Sequence, residues 1–295
     1  MHTHWLERCA VMDLELIRGL DIAAIEQTYD KRDTILYALG LGYGENPLDE
    51  QDLPFVYEEG LRILPSYANL LCHPGFWAQR PEFDIDWVRL LHAEQDFVMH
   101  RPLPATGTLR GTFRVAGVED KGADRGALLH QEKALFDVAD DSHVATVRST
   151  LFLRGDGGQG GYGEGVAPAK ALPDRAPDRI VTIATSPRQA LVYRLSGDWN
   201  PIHADPAIAR KAGFDAPILH GLCTNGIACR ALVREYCGND PRRLIRLFVR
   251  FTKPVIPGET IRFEFFEEGE GEIRFRALID GDDRIVLDRC TAAFA

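Results

Sequence analysis

Long apolar runs are missing from this chain of 295 residues. No stretch reaches the roughly 18 apolar residues that a membrane-spanning helix needs, so we predict no membrane span. The first residues include Glu7 and lack the apolar segment of a secretion signal. The chain does not end in Ser-Lys-Leu, the peroxisomal address. From these absences we predict a cytoplasmic protein.

Basic residues are fewer than acidic residues. The chain has 34 lysines and arginines against 44 acidic residues, which gives a formal net charge of -10. Nucleic-acid binding depends on clustered positive charge, so we predict no nucleic-acid partner. A small phosphorylated ligand needs only a local basic patch and is not excluded by the net charge.

Cysteines are few, and their spacing carries no motif. None of the six cysteines forms a Cys-x-x-Cys pair, which argues against a zinc site or a thiol–disulfide motif. Reduced, buried thiols are the simpler interpretation for a cytoplasmic chain. We therefore predict no metal site.

The most informative stretch is a polar loop that follows a short helical pattern. It reads Tyr-Arg-Leu-Ser-Gly-Asp-Trp-Asn-Pro-Ile-His-Ala-Asp-Pro at residues 193–206. Gly197 is predicted to end the helix, because glycine accepts the left-handed backbone of a helix terminus. Asp198, Asn200 and His203 follow on an irregular backbone. Asp-x-Asn-Pro alone is ordinary turn chemistry, but a carboxylate, an amide and an imidazole together have the composition of an acid–base site.

A second motif, Pro-Ile-Leu-His-Gly at residues 217–221, follows this loop. The two motifs together resemble the signature of the hydratase 2 (MaoC-like) enoyl-CoA hydratases. The form resembled is the two-domain one, as in the hydratase region of peroxisomal multifunctional enzyme type 2, and the resemblance covers the chain from about Tyr29. It implies an α+β double hotdog fold and a homodimer. It also implies reversible hydration of trans-2-enoyl-CoA to (3R)-3-hydroxyacyl-CoA, with no cofactor except the coenzyme A of the substrate.

The chain contains an internal repeat. Residues 37–42 correspond to residues 193–198, and Arg101-Pro102 corresponds to Lys253-Pro254. The first half has Gly42 in place of Asp198, and prolines interrupt residues 68–87. A proline inside a helix costs about 3 kcal/mol, so a long helix there is not expected. We predict a degenerate hotdog over 1–154, a flexible Gly/Pro-rich linker over 155–179 and a catalytic hotdog over 180–295.

Periodicity and turn residues predict the main elements. Helices are expected from Asp30, from a Ser186–Gln189 capping box with Pro187 first, and over 221–237. Strands are expected over 87–100, 109–118, 127–138, 144–154, 180–184, 244–252, 261–268, 272–278 and 285–294.

The expected chemistry divides between two elements. Asp198 and His203 activate one shared water, and Asn200 orients the water or the carboxylate. Gly221 falls at the predicted start of a helix, where backbone N–H groups are unpaired and the helix dipole is positive. One such donor to the thioester oxyanion contributes roughly 3 kcal/mol to the transition state.

The resemblance also assigns substrate contacts to His92, Ala93, Lys121 and Phe251, with Ala93 in the place of the usual glycine. Two alternatives stay open. One is a dehydratase for a branched, steroid-side-chain or acyl-carrier-protein thioester, and the other is a non-catalytic acyl-CoA-binding protein. A hotdog thioesterase fits the Asp-x-Asn-Pro-x-His group less well than hydration does.

Overall fold

A computed structural model gives the fold and describes residues 12–163, 165–269 and 271–295. The first half contributes β1 (Ile25–Tyr29), β2 (Leu90–Met99), β3 (Gly107–Asp120), β4 (Ala127–Asp137) and β5 (His143–Leu153). The second half contributes β6 (Arg179–Ala184), β7 (Leu244–Arg250), β8 (Thr260–Glu267), β9 (Glu272–Ile279) and β10 (Ile285–Phe294). These strands form one antiparallel ten-stranded sheet in the order β1-β3-β4-β5-β2-β7-β10-β9-β8-β6.

The strand order confirms the internal repeat. Counted from its own first strand, each half has the order 1-3-4-5-2. The second strands of the two halves, β2 and β7, pair antiparallel, with Glu94 opposite Arg250 and Val98 opposite Arg246. The halves therefore share one continuous sheet, which is the double hotdog predicted from the sequence.

The helices are α1 (Leu14–Arg18), α2 (Lys31–Gly40), α3 (Leu53–Val56), α4 (Gln189–Tyr193), α5 (Pro206–Lys211) and α6 (Gly221–Tyr236). Helix α6 is the central helix of the second half, and most of its residues are buried against the sheet. It begins at Gly221, as predicted, and Gly238 follows it with a φ of 59°. Helix α2 begins after Asp30, as predicted, and the Asp30 side chain forms a capping box with Asp33.

The first half has only short 3-10 turns where the second half has α6. They cover Pro65–Asn69, Trp77–Gln79, Pro81–Phe83 and Trp87–Arg89, which confirms that its central helix is broken. Lys133 of β4 secures the first of these turns, since its buried ammonium donates to the carbonyl oxygens of Ala68, Asn69 and Leu71.

The prediction of a flexible linker is wrong for residues 155–163. The N–H groups of Gly158 and Gly160 donate to the Asp120 carboxylate at 2.7 and 2.8 Å, and Tyr162 forms a β-bridge with Val118. A Cβ on Gly157 would lie 2.2 Å from the carbonyl oxygen of Gly122. Glycine occurs here because the tract packs closely on the β3–β4 turn. The domain boundaries at 154 and 180 stay predictions.

Several predicted element boundaries also move by one to three residues. Helix α4 begins at Gln189, not at Pro187. The Gln189 side chain accepts the Ser186 N–H, and the Gln189 N–H donates to the Ser186 carbonyl, so residues 186–189 form a turn before the helix. The first residues of the strand predicted over 87–100 form the 3-10 turn Trp87–Arg89.

The cysteine prediction holds for the described residues. Cys72, Cys223, Cys229, Cys237 and Cys290 are buried and free. Burial raises the pKa of each of these thiols. Cys9 lies outside the described residues. Among the helices of those residues, none has the length and apolar character to cross a membrane.

Candidate active site

The signature loop forms a series of short, capped turns. Helix α4 continues into a 3-10 turn that ends at Gly197, which has a φ of 131° and ends the helix as predicted. The Asp198 carboxylate accepts the Asn200 N–H at 3.1 Å. The Asn200 side-chain oxygen accepts the Ile202 N–H at 3.1 Å and caps the 3-10 turn Pro201–His203. Each polar side chain thus holds the backbone that presents the next one.

His203 is held as a neutral imidazole with one nitrogen free. Its Nδ1 lies 2.8 Å from the carbonyl oxygen of Ile218. A carbonyl only accepts, so Nδ1 carries the proton and Nε2 keeps its lone pair. The ring is buried, and burial lowers the pKa of His203 from its ordinary value of 6.5. A neutral imidazole with a free nitrogen is able to accept a proton near neutral pH.

His220 is the functional candidate that the sequence reasoning missed. Its ring stacks on the His203 ring, with 3.7 Å between centroids and an interplanar angle of 27°. Its Nε2 lies 3.2 Å from the backbone oxygen of Asp198. Burial, and then the neighbouring His203, lower the pKa of His220 to about 4. The motif at 217–221 contains His220 and could have drawn attention to it, but the motif alone indicates no chemical role for the side chain.

Asp198, His203 and His220 form one compact cluster. One donor atom from each residue lies within 4.8 Å of the others. A carboxylate and two imidazoles are a set that divalent metals accept, so the prediction of no metal site needs a test. One point favours acid–base chemistry. The His203 and His220 rings stack face to face, whereas metal ligands converge through lone pairs in the plane of each ring.

A second group of predicted residues lies at the beginning of α6. A Cβ on Gly221 would be 3.3 Å from the ring of Phe251. The Phe251 N–H donates to the Ala93 carbonyl at 2.9 Å, and the Phe251 ring lies 5.0 Å from the His92 ring. The pairing of β2 with β5 shifts register between His92 and Glu94, a bulge of the kind that redirects side chains beside functional sites. The fold thus brings together Gly221, Phe251, His92 and Ala93, and His220 joins them to the cluster.

The His92 ring is fixed by a buried chain of hydrogen bonds. Its Nε2 donates to the Gln95 side-chain oxygen at 3.0 Å. Gln95 donates to Asn69, and Asn69 donates to Asn225 of α6, each at 2.9 Å. Burial lowers the pKa of His92, while the Asp198 carboxylate acts in the opposite direction. This series of hydrogen bonds therefore connects β2 of the first half with α6 of the second half, beside the cluster of Asp198, His203 and His220.

Lys121 is the predicted residue that the structure does not join to the others. It lies in the turn between β3 and β4, where its ammonium pairs with Glu119 and its N–H donates to Gly126. No contact within the described residues connects it to Asp198, His203 or Gly221. Its contact with the substrate stays a prediction, which requires a ligand long enough to reach this turn.

His73 is a further residue that the sequence reasoning passed over. Its side chain is exposed, and it lies near enough to Asp198 for the charges of the two side chains to interact. It lies between the first two of the short turns that replace the central helix of the first half, in a stretch without a recognisable motif, so its proximity to Asp198 depends on the fold.

A cavity of about 390 Å³ lies between the end of β2 and the beginning of β7, lined by residues such as Met99, Arg101 and Leu244. None of the predicted site residues lines it. The candidate site is therefore the cluster of Asp198, His203 and His220, whose hydrogen-bond donors and acceptors the chemistry requires and this cavity does not contain.

Comparisons with known proteins identify the family of this chain. Residues 27–155 match the MFE-2 hydratase 2 N-terminal domain, and residues 168–286 match the MaoC like domain. The 3-hydroxyacyl-thioester dehydratase Y of Mycobacterium tuberculosis is 42% identical over 266 residues, covering 87% of this chain and 90% of that protein. The peroxisomal enoyl-CoA hydratase 2 of Arabidopsis thaliana is 37% identical over 271 residues, covering 86% of this chain and 87% of that protein.

The chain belongs to the MaoC-like hydratase 2 family. The solved structure of a MaoC-like dehydratase from Phytophthora capsici superposes with a TM-score of 0.84 at 35% identity, covering 96% of this chain and 99% of that one. Family membership confirms the resemblance predicted from the two motifs. The first half matches a family model of its own, separate from the model that the second half matches.

Proposed function

We propose that this protein is a hydro-lyase that reversibly hydrates trans-2-enoyl-CoA to (3R)-3-hydroxyacyl-CoA. One observation supports this most directly. A carboxylate and a neutral imidazole with a free nitrogen, Asp198 and His203, lie together beside the N-terminus of the buried helix α6. The family match supports the thioester substrate, and the (3R) configuration follows from the family resemblance.

The residues of this site supply each step of the reaction. The Nε2 of His203 and the Asp198 carboxylate hold one water. As its oxygen bonds to the β carbon, a water proton passes to this pair, and a proton is returned to the α carbon. The product has gained the elements of water, and the pair ends in its starting protonation state. Because two close groups titrate together, the pair is treated as one acid–base unit.

The thioester oxygen gains negative charge while the β carbon is attacked. We assign its stabilisation to the N–H of Gly221, the first residue of α6, where the helix leaves N–H groups unpaired. Phe251 stands against Gly221, so a larger residue at 221 would move the ring. His92, Ala93 and Phe251 then bound the acyl thioester, and the missing central helix of the first half leaves room for its chain.

The test is hydration of a short and a long trans-2-enoyl-CoA by the purified protein, with product chirality read by an enzyme specific for (3R)-hydroxyacyl-CoA. Asp198→Asn and His203→Ala are each expected to lower kcat by roughly 10²- to 10⁴-fold. The matched control is Asp205→Asn, since Asp205 lies in the same loop and caps α5. Absence of turnover with both chain lengths would reject a general enoyl-CoA hydratase.

We propose that catalysis requires no metal and no redox cofactor. Dialysis of the purified enzyme against a chelator should leave kcat unchanged, and added Zn²⁺ should not raise it. A loss of activity that a divalent metal restores would make Asp198, His203 and His220 the first residues to examine as ligands.

A second candidate is dehydration of a 3-hydroxyacyl thioester, with a branched, steroid-side-chain or acyl-carrier-protein substrate. The match to a 3-hydroxyacyl-thioester dehydratase favours it. The same residues would act in the reverse direction. The ratio of kcat/KM for one acyl chain carried on coenzyme A and on acyl carrier protein separates the two carriers. Binding of acyl-CoA without turnover of any thioester would instead support a non-catalytic acyl-CoA-binding protein.

We propose a homodimer in the cytoplasm, both as predicted from the sequence. Support for the dimer is the family resemblance, and light scattering of the purified protein measures it. The compartment needs fractionation or imaging, since the Arabidopsis relative is named as peroxisomal.

A further inference from the structure

We infer that His220 is a positioning residue of the hydration reaction: it holds the Asp198 backbone by a hydrogen bond and the His203 ring by stacking. The inference rests on the proposed function for the reaction it serves. It concerns the histidine of the 217–221 motif, to which the mechanism above gives no role. His220 does not contact the reacting atoms in this assignment, and it acts through the two residues that do.

The hydrogen bond acts on Asp198. The backbone oxygen of Asp198 is an acceptor only, so the His220 Nε2 at 3.2 Å must carry the proton and donate it. The bond therefore defines the tautomer of His220. It also fixes the peptide unit that follows the Asp198 side chain, in a loop where Gly197 would otherwise allow several backbone conformations.

The stack acts on His203. Only one edge of the His203 ring is held, by the bond from Nδ1 to Ile218, and rotation about that bond would swing Nε2 away from the water. The face of the His220 ring lies 3.7 Å from the His203 ring. The Tyr193 ring lies 5.0 Å from the His220 ring, so His220 is itself held between Tyr193 of α4 and His203.

The surroundings of His220 oppose a second acid–base role. Its side chain is buried, and its Nδ1 has no hydrogen-bond partner among the described residues. A proton there would have no acceptor and would place positive charge beside His203 and Arg194, with only Asp198 in favour. A neutral ring that donates one proton and transfers none fits these surroundings.

The experiment uses three substitutions that separate the donor from the ring. The amide nitrogen of His220→Gln falls near the position of Nε2, that of His220→Asn falls near Nδ1, and His220→Phe keeps the ring without a donor. We expect kcat to fall about 3- to 10-fold in His220→Gln, which loses the stack, and in His220→Phe, which loses the donor. In His220→Asn, which loses both, we expect a fall of about 10- to 100-fold, with KM changed by less than about threefold in all three variants.

His130→Phe is the matched control, because His130 is also buried, with one nitrogen bonded to Thr150 and the other unpartnered. This control should change stability and leave kcat unchanged. The inference is overturned if His220→Phe keeps parental kcat, or if His220→Gln is as slow as His220→Asn while the acid limb of the pH–rate profile moves. The second result would make His220 a proton carrier.

A readout that does not depend on turnover keeps this test separate from the proposed function. The ¹⁵N shifts of the His203 ring report its tautomer. We expect the Nδ1–H form in the parent and in His220→Phe, which keeps the stacked ring, and a mixture of tautomers in His220→Gln and His220→Asn. An unchanged tautomer in all variants would overturn the positioning role, whereas absence of turnover in the parent would reject only the hydratase assignment.

Discussion

Asn200 acts on the backbone of its own loop. Its side-chain oxygen caps the 3-10 turn that carries His203. From the sequence, Asn200 was expected to orient a water or a carboxylate through its side-chain amide. The two roles use different atoms, since the cap uses the oxygen and leaves the amide nitrogen free for a substrate or a water.

Substitutions at Asn200 should separate these roles. Asn200→Asp keeps an acceptor for the cap, and Asn200→Ala removes it at a cost of about 1 kcal/mol. We expect both to lower kcat, with only Asn200→Ala also lowering the urea midpoint. Equal stability of the two variants would contradict the capping role.

The pH dependence of the rate tests the state of His203. Since burial lowers its pKa below 6.5, the ring stays neutral down to that pH and gains its proton only in more acidic solution. The acid limb of kcat/KM should therefore have its midpoint below pH 6.5. A midpoint above 6.5 would mean that the charged form is favoured in the free enzyme, and intrinsic fluorescence over the same range controls for unfolding.

At the scale of elements, α6 depends on a close approach to the first half. A Cβ on Gly226 would lie 2.4 Å from the Leu41 side chain and 3.0 Å from the Tyr37 hydroxyl. Both of these residues are buried. Glycine weakens a helix interior, so its presence here reflects packing between the halves.

Gly226→Ala should therefore destabilise the protein by about 1–3 kcal/mol in urea unfolding, although alanine favours a helix. Gly165→Ala is the control, since a Cβ there meets open space, and it should be nearly neutral. An increase in stability for Gly226→Ala would show that Leu41 moves without cost.

In the first half, Lys133 stabilises the turn that replaces the central helix. Burial lowers its pKa to about 7, yet its ammonium serves the carbonyl oxygens of the turn that replaces a helix. Lys133→Met leaves those oxygens without a donor, and we expect a loss of about 1–3 kcal/mol in the free energy of unfolding. Lys31→Met is the control, because Lys31 donates to a backbone oxygen in an exposed position, and its cost should stay below about 0.5 kcal/mol.

For the whole molecule, the buried His220 predicts acid sensitivity. Burial, and then the neighbouring His203, lower the pKa of His220 to about 4 from 6.5. Between these values the unfolded chain binds protons that the native protein does not, so the free energy of unfolding falls as pH falls from 6.5 towards 4. Urea unfolding across this range measures the slope. In His220→Gln the slope should decrease by about one proton, and an unchanged slope would contradict the buried, neutral state of His220.

Much of the fold followed from local patterns. The start of α6 at Gly221, the start of α2 after Asp30 and the broken helix of the first half were all predicted. Glycine, proline and capping side chains act on the backbone within one or two turns, so their effect can be read from neighbours in sequence. The Gly-rich tract was misjudged for the same reason, since glycines that loosen an isolated chain also permit its close packing.

The sequence by itself determined the family and the repeat. It also determined that Asp198, Asn200 and His203 lie on one loop, because they are a few positions apart. Tertiary structure alone decided what surrounds them. Pairing of β2 with β7 places Ala93 against Phe251, residues far apart in the chain, and the return of the chain before α6 lays His220 on His203. Such contacts depend on strand register and on the path between elements, which no local spacing encodes.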